Sequence, residues 1–149
     1  MKDLILFGDC KKTLSAFLPK SARMCVTSPP YYGLRDYGGE DEQIGQENTP
    51  EDFINNLVDV FKEVRNVLTD DGTLWVNLGD SYYNYRPGKG QSYPKQSVSK
   101  TKQDLPDKCN KRGNKLQGLK EKDLIGIPWM LAFALRKDGW YLRQDIIWN

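Results

Sequence analysis

Residues 49–68 carry the strongest helical pattern in the chain, and they lie between two short apolar runs. Thr49 is an N-cap candidate, Pro50 suits the first helical position, and Glu51 and Asp52 favour the positive end of the helix dipole. Phe53, Leu57, Phe61, Val64 and Leu68 then recur at steps of three and four, which makes one apolar stripe. Asp70-Asp71-Gly72 is expected to end the helix. Before it, Met24-Cys25-Val26-Thr27 reads as a buried strand, and after it Thr73-Leu74-Trp75-Val76-Asn77-Leu78 reads as another. Two apolar strands joined by a helix call for a parallel pair with the helix crossing over, which restricts the chain to sheets of the α/β kind.

The same alternation continues on both sides. Leu4-Ile5-Leu6-Phe7 predicts a buried strand closed by Gly8-Asp9. Residues 10–18 predict a helix through Leu14, Phe17 and Leu18, stopped by Pro19. Pro128 opens a further helix through Trp129, Leu131, Ala132 and Leu135, ended by Gly139. Residues 140–148 predict a fourth strand. The expected fold is therefore α/β, with about four strands and helical crossovers. Its near-continuous apolar strands imply a sheet covered on both faces. Ligands in such sheets bind beyond the carboxyl ends of the strands, so Gly8-Asp9, Ser28-Pro29-Pro30 and Gly79-Asp80 are expected to converge on one crevice. The last apolar run reaches to within a residue of Asn149. An open strand edge there predicts a chain that is cut short or completed by a second polypeptide.

The 149 residues fit one domain. No run approaches the ~20 apolar residues of a membrane span, and the N-terminus is unlike a secretory signal, so the expected location is cytoplasmic. The chain has no histidine, which excludes every mechanism built on a histidine base. Its three cysteines are far apart and form no Cys-x-x-Cys pair, which argues against a zinc site. Cys10 and Cys25 read as small buried apolar residues, and Trp75, Trp129 and Trp148 as core.

Residues 85–120 break the alternation. They are rich in Lys, Gly, Ser, Gln, Pro and Asn and poor in apolar residues, and they predict a long mobile loop. Between Arg86 and Lys120 there are ten Lys/Arg against Asp104 and Asp107, a net charge of +8. The whole chain carries +2, so the remainder carries −6. A basic segment on an acidic body suggests contact with a polyanion, and Tyr93 within it could stack on a base.

Chemistry concentrates at Thr27-Ser28-Pro29-Pro30-Tyr31-Tyr32, where a predicted strand ends abruptly. Successive prolines fix φ and restrict the residue before each, so Ser28 is held extended and the Pro29 carbonyl is restrained by Pro30. Two oxygen acceptors stand beside the aromatic face of Tyr31. That set suits a planar ring bearing an exocyclic amino group: the oxygens take its hydrogens and the ring stacks on the phenol.

Asp/Asn/Ser-Pro-Pro-Tyr is the catalytic motif of the S-adenosylmethionine-dependent amino-methyltransferases, and this chain resembles them. Gly8-Asp9 precedes the motif. Gly72-Thr73-Leu74-Trp75-Val76-Asn77-Leu78-Gly79 follows it, and Gly139-Trp140-Tyr141-Leu142-Arg143 to Ile147-Trp148 comes later. The ordered set is similar to the bacterial and phage DNA methyltransferases of restriction-modification systems whose catalytic half precedes the cofactor-binding half. The resemblance implies a Rossmann-like methyltransferase sheet, here incomplete. It implies S-adenosylmethionine as methyl donor and double-stranded DNA as substrate, with the target base flipped out. It assigns the catalytic corner to Ser28, Pro29, Pro30 and Tyr31. It places Asp9, with Cys10 beside it, near the cofactor's adenine, and Asp80 in the same crevice; from the residues alone, Asp9 reads equally as the cap of the helix starting near Cys10, and Asp80 as a turn or cap residue. Serine at the first motif position leans towards cytosine N4, with adenine N6 as the alternative. The family's Phe-x-Gly-x-Gly cofactor loop is not in this sequence, since in this branch it follows the point where the chain stops; the last sheet strand and a target-recognition region are also expected to be absent. Weak cofactor binding by this chain alone is the expectation, and a catalytically inactive DNA-binding remnant is the reading from another class.

Overall fold

A computed structural model describes residues 3–34, 43–83, 116 and 118–147. The predicted loop over 85–120 therefore lies almost wholly outside the described residues, as do Tyr93, Cys109 and Trp148.

The described chain runs α1 (Cys10–Ser15), β1 (Ala22–Thr27), α2 (Pro50–Val67), β2 (Leu68–Val76) and α3 (Ile127–Lys137). β1 and β2 pair in parallel, with Cys25 opposite Leu74 and Thr27 opposite Val76, and α2 connects them. This is the strand–helix–strand unit that the sequence pattern requires. α2 starts where its caps place it: the Thr49 side chain accepts from the Asp52 backbone N–H at 3.1 Å. It stops earlier than the acidic turn suggests. Val67 is its last residue, and β2 begins at once with Leu68. Asp70-Asp71-Gly72 instead sit in a register shift, since Ala22 faces Leu68 but Met24 faces Thr73. Gly72 is needed there, because a Cβ would stand 2.9 Å from the Thr69 carbonyl oxygen.

The core lies where α2 crosses α3 over one face of the pair. Phe53, Ile54, Leu57, Phe61 and Val64 of α2 meet Ile127, Leu131 and Leu135 of α3, all buried. Cys25, Leu74, Val76 and Leu78 of the strands pack against them. α3 ends in a left-handed Gly139, with Gly139 N–H donating to Arg136 and Trp140 N–H to Leu135, so the glycine stop is in place. Arg65 of α2 pairs with the Asp138 carboxylate at 3.0 Å and ties the two helices at that end.

Four sequence expectations need correction. Two strands form, not about four: Leu4–Phe7 and residues 140–147 enter no ladder among the described residues. An apolar run becomes a strand only when another strand takes its backbone groups, and none of the described segments does so. Among the described residues the sheet is covered on one face only. Met24, Val26 and Trp75 point away from the helices and are 61%, 69% and 47% exposed. Trp75 and Trp129 are accordingly exposed rather than core. Cys10 is exposed as well, because it opens α1 on its outer side, whereas Cys25 is half-buried and burial pushes its thiol up. No helix among the described residues is long and apolar enough to cross a membrane.

Candidate functional site

β1 delivers Thr27 and then the corner 28–32. Asn77 N–H, just past β2, donates to the Thr27 carbonyl at 2.9 Å, which fixes the point where the chain leaves the sheet. Ser28 and Pro30 are exposed, and Pro29 and Tyr31 are half-buried. The corner thus lies at the carboxyl end of the parallel pair, with Ser28 and Pro30 facing solvent.

Behind it the backbone is held at several points. Ser81 Oγ donates to the Tyr32 carbonyl at 2.8 Å. Gly33 N–H donates to the Gly45 carbonyl at 2.8 Å. Gly45 has φ near 100°, and a Cβ there would meet the Tyr31 carbonyl oxygen at 3.1 Å, so only glycine suits this close approach. The Tyr32 ring anchors the inner side, tilted against buried Phe53 with centroids 5.4 Å apart. Glu47 completes the support by accepting from Gly45 N–H at 2.8 Å and from the Asn56 amide at 2.9 Å.

Burial pushes the Tyr32 phenol up to about 12, with Glu47, Glu51 and Asp52 opposing a further negative charge. In the unfolded chain the phenol gives up its proton near 10, so above that point the folded state holds more protons than the unfolded one. The stability due to this shift is fully present below pH 10 and is lost as pH rises towards 12. Urea midpoints followed across that window should fall in the wild type and fall less in Tyr32→Phe. Parallel curves would show that Tyr32 does not carry the effect.

The other candidate residues are placed differently. Asp9 caps α1: its carboxylate accepts from Lys12 N–H at 2.8 Å, and its carbonyl accepts from the Thr13 hydroxyl. Asp9 and Cys10 are exposed, and the hydrogen bonds of Asp9 are all local. Asp80 follows β2, and its carboxylate accepts three backbone N–H groups, from Ser81 at 2.8 Å and from Gly126 and Ile127 at 3.0 Å. It serves as the N-cap that α3 lacks, since left-handed Gly126 has no side chain to offer. The turns after β1 and β2 therefore meet, with the Tyr31 ring against Gly79 and Ser81 bonded to Tyr32. Gly8-Asp9 makes no hydrogen bond to either turn among the described residues. Ser81 contacts the corner although the sequence did not single it out, its only signal being its position after Asp80 at the end of a strand. Gly79 was expected at this turn, but its contact with the Tyr31 ring was not.

A family model described as DNA methylase matches residues 22–149. Among curated proteins, the Type II methyltransferase M.Cfr9I of Citrobacter freundii is 51% identical over 142 residues, covering 95% of this chain and 44% of its own length. The Type II methyltransferase M.SmaI of Serratia marcescens is 47% identical over 150 residues, covering 97% of this chain and 47% of its own. M.SfiI of Streptomyces fimbriatus, also a Type II methyltransferase, is 34% identical over 142 residues. The chain thus spans somewhat less than half the length of the first two relatives. No solved structure is a significant match.

Proposed function

Because the chain belongs to the DNA methylase family, we propose that it is the base-holding part of a site-specific DNA methyltransferase. The observation that carries the reading is the corner itself: exposed Ser28, a proline-restrained carbonyl at Pro29 and a half-buried Tyr31, at the open end of a parallel strand pair. In the proposed reaction, Ser28 Oγ and the Pro29 carbonyl accept the two amino hydrogens of a flipped base and leave its nitrogen lone pair free. Pro30 keeps that carbonyl aimed, and Tyr31 stacks on the base. Flipping costs a few kcal/mol, and an aromatic stack returns ~1–3 kcal/mol. No strong base is required before attack: the neutral amine would take the methyl group first, S-adenosylhomocysteine would leave, and the methylated nitrogen would then release its proton to water, in keeping with a chain without histidine.

S-adenosylmethionine would supply the methyl group. Of the residues assigned to it, Asp9 and Cys10 stand exposed at the start of α1, while Asp80 is committed to α3. Asp9 bonds only within α1 and the Asp80 carboxylate is already taken up, so this set alone does not enclose such a cofactor. A further portion of the size seen in the relatives, on this polypeptide or a second one, would complete the donor site and a Rossmann-like sheet. Double-stranded DNA is the proposed substrate and the cytoplasm the proposed location, with the basic 85–120 segment set against phosphates. Serine at position 28 favours cytosine N4 over adenine N6.

The test is transfer of tritium from labelled S-adenosylmethionine into duplex DNA, with the chain co-expressed with the remaining portion of a relative such as M.SmaI. Nucleoside analysis of the product should give N4-methylcytosine. N6-methyladenine would move the reading to the alternative base, and absence of any DNA label would refute it in favour of a non-catalytic DNA binder.

A further inference from the structure

Gly79 stands just past β2, and a Cβ built on it would lie 2.7 Å from Cε2 and 3.1 Å from Cδ2 of Tyr31. Real side chains essentially never approach that closely, so the ring occupies the space a side chain at this position would need. Gly79 has no positive φ, so its backbone does not call for glycine. Only the neighbouring ring does. Gly45 differs, since it combines a positive φ with contact to backbone atoms.

We infer that Gly79 is a positioning residue for Tyr31: its bare Cα is the seat on which one edge of the ring rests, and this sets the angle at which the opposite part of the ring meets a base. The inference rests on the proposed function of the corner. The backbone around the ring is held at Thr27 by Asn77, at Tyr32 by Ser81 and at Gly33 by Gly45. It has little freedom to absorb an added methyl group. Tyr31 is half-buried, so part of it borders solvent. A methyl at position 79 is therefore relieved by the ring swinging aside, with the fold intact.

The experiment compares Gly79→Ala, Tyr31→Ala and the double variant. Selective carbon-13 labelling of tyrosine reports the ring in the 149-residue chain, and the Gly79 Hα resonance reports the ring current. In the wild type that resonance should be displaced, and in Tyr31→Ala it should return to an ordinary position. Gly79→Ala should keep the urea midpoint, shift the Tyr31 ring resonances and lower methyl transfer roughly ten-fold, part of what a full aromatic stack contributes. In the Tyr31→Ala background Gly79→Ala should cost nothing more, because no ring remains to displace. The two claims fail separately. Full transfer by Tyr31→Ala refutes the base-stacking reading. Unmoved ring resonances and full transfer in Gly79→Ala, with Tyr31→Ala impaired, overturn the inference about Gly79 alone. Losses that multiply in the double variant also overturn it.

Discussion

Ser28→Ala and Tyr31→Ala should each lower methyl transfer by about 100-fold, while the far-ultraviolet spectrum and the urea midpoint should stay near those of the wild type. Two different losses lead to this result. In the proposed reaction, removing Ser28 Oγ takes away one of two acceptors for the amino group, and deleting a single pre-aimed polar group from a reacting centre costs roughly 100- to 1,000-fold. Removing the Tyr31 ring would take away the proposed stack on the flipped base, ~1–3 kcal/mol or roughly 5- to 150-fold. Neither change should unfold the chain, because Ser28 is exposed, Tyr31 is half-buried, and the core of α2 and α3 includes neither. The kinetic pattern separates them. Ser28→Ala should act mainly on kcat, since the lost interaction serves the reacting nitrogen. Tyr31→Ala should also raise KM for DNA. A loss that tracks a fallen urea midpoint would mean that the corner is only structural.

Asp80→Ala should lower stability by about 3 kcal/mol, much more than a surface carboxylate ordinarily contributes. Its carboxylate satisfies Ser81, Gly126 and Ile127 N–H together. The first turn of α3 has no other side-chain cap, and Ile127 is fully buried. Truncation leaves these donors without a partner and removes a negative charge from the positive end of the helix. Asp80→Asn keeps an acceptor oxygen and should lose only about 1 kcal/mol. Urea denaturation measures both, and hydrogen exchange should show the first turn of α3 opening in Asp80→Ala. Equal stability of Asp80→Ala and wild type would show that Asp80 does not hold α3.

These two sites show what could be read from residues alone. α2 was legible because Thr49, Pro50, Glu51 and Asp52 start it and one stripe from Phe53 onward buries it. Everything it needs is local. α3 was legible from Pro128 and Gly139 for the same reason. The corner 28–32 was legible because proline constrains its own neighbours. That the turn of Gly79 and Asp80 meets the corner was legible, but which helix Asp80 caps was not, since its partners at Gly126 and Ile127 lie 46 and 47 residues away and only the fold brings them together. The contact of Gly79 with the Tyr31 ring was hidden likewise, because the two belong to different turns. Leu4–Phe7 and residues 140–147 look like strands by composition, but a strand depends on its neighbour. Trp75 looked like core because an apolar strand of a parallel sheet is ordinarily buried on both faces, and the described residues cover only one.

The most direct measurement places a photoreactive base at the corner. Duplexes carrying 5-iodocytosine at varied positions would be irradiated with the chain and its co-expressed completing portion. The attached nucleotide would then be located by mass spectrometry of the peptides. The account predicts attachment at Tyr31, lost in Tyr31→Ala and weakened in Gly79→Ala. Attachment confined to other residues, and unchanged in Tyr31→Ala, would contradict it.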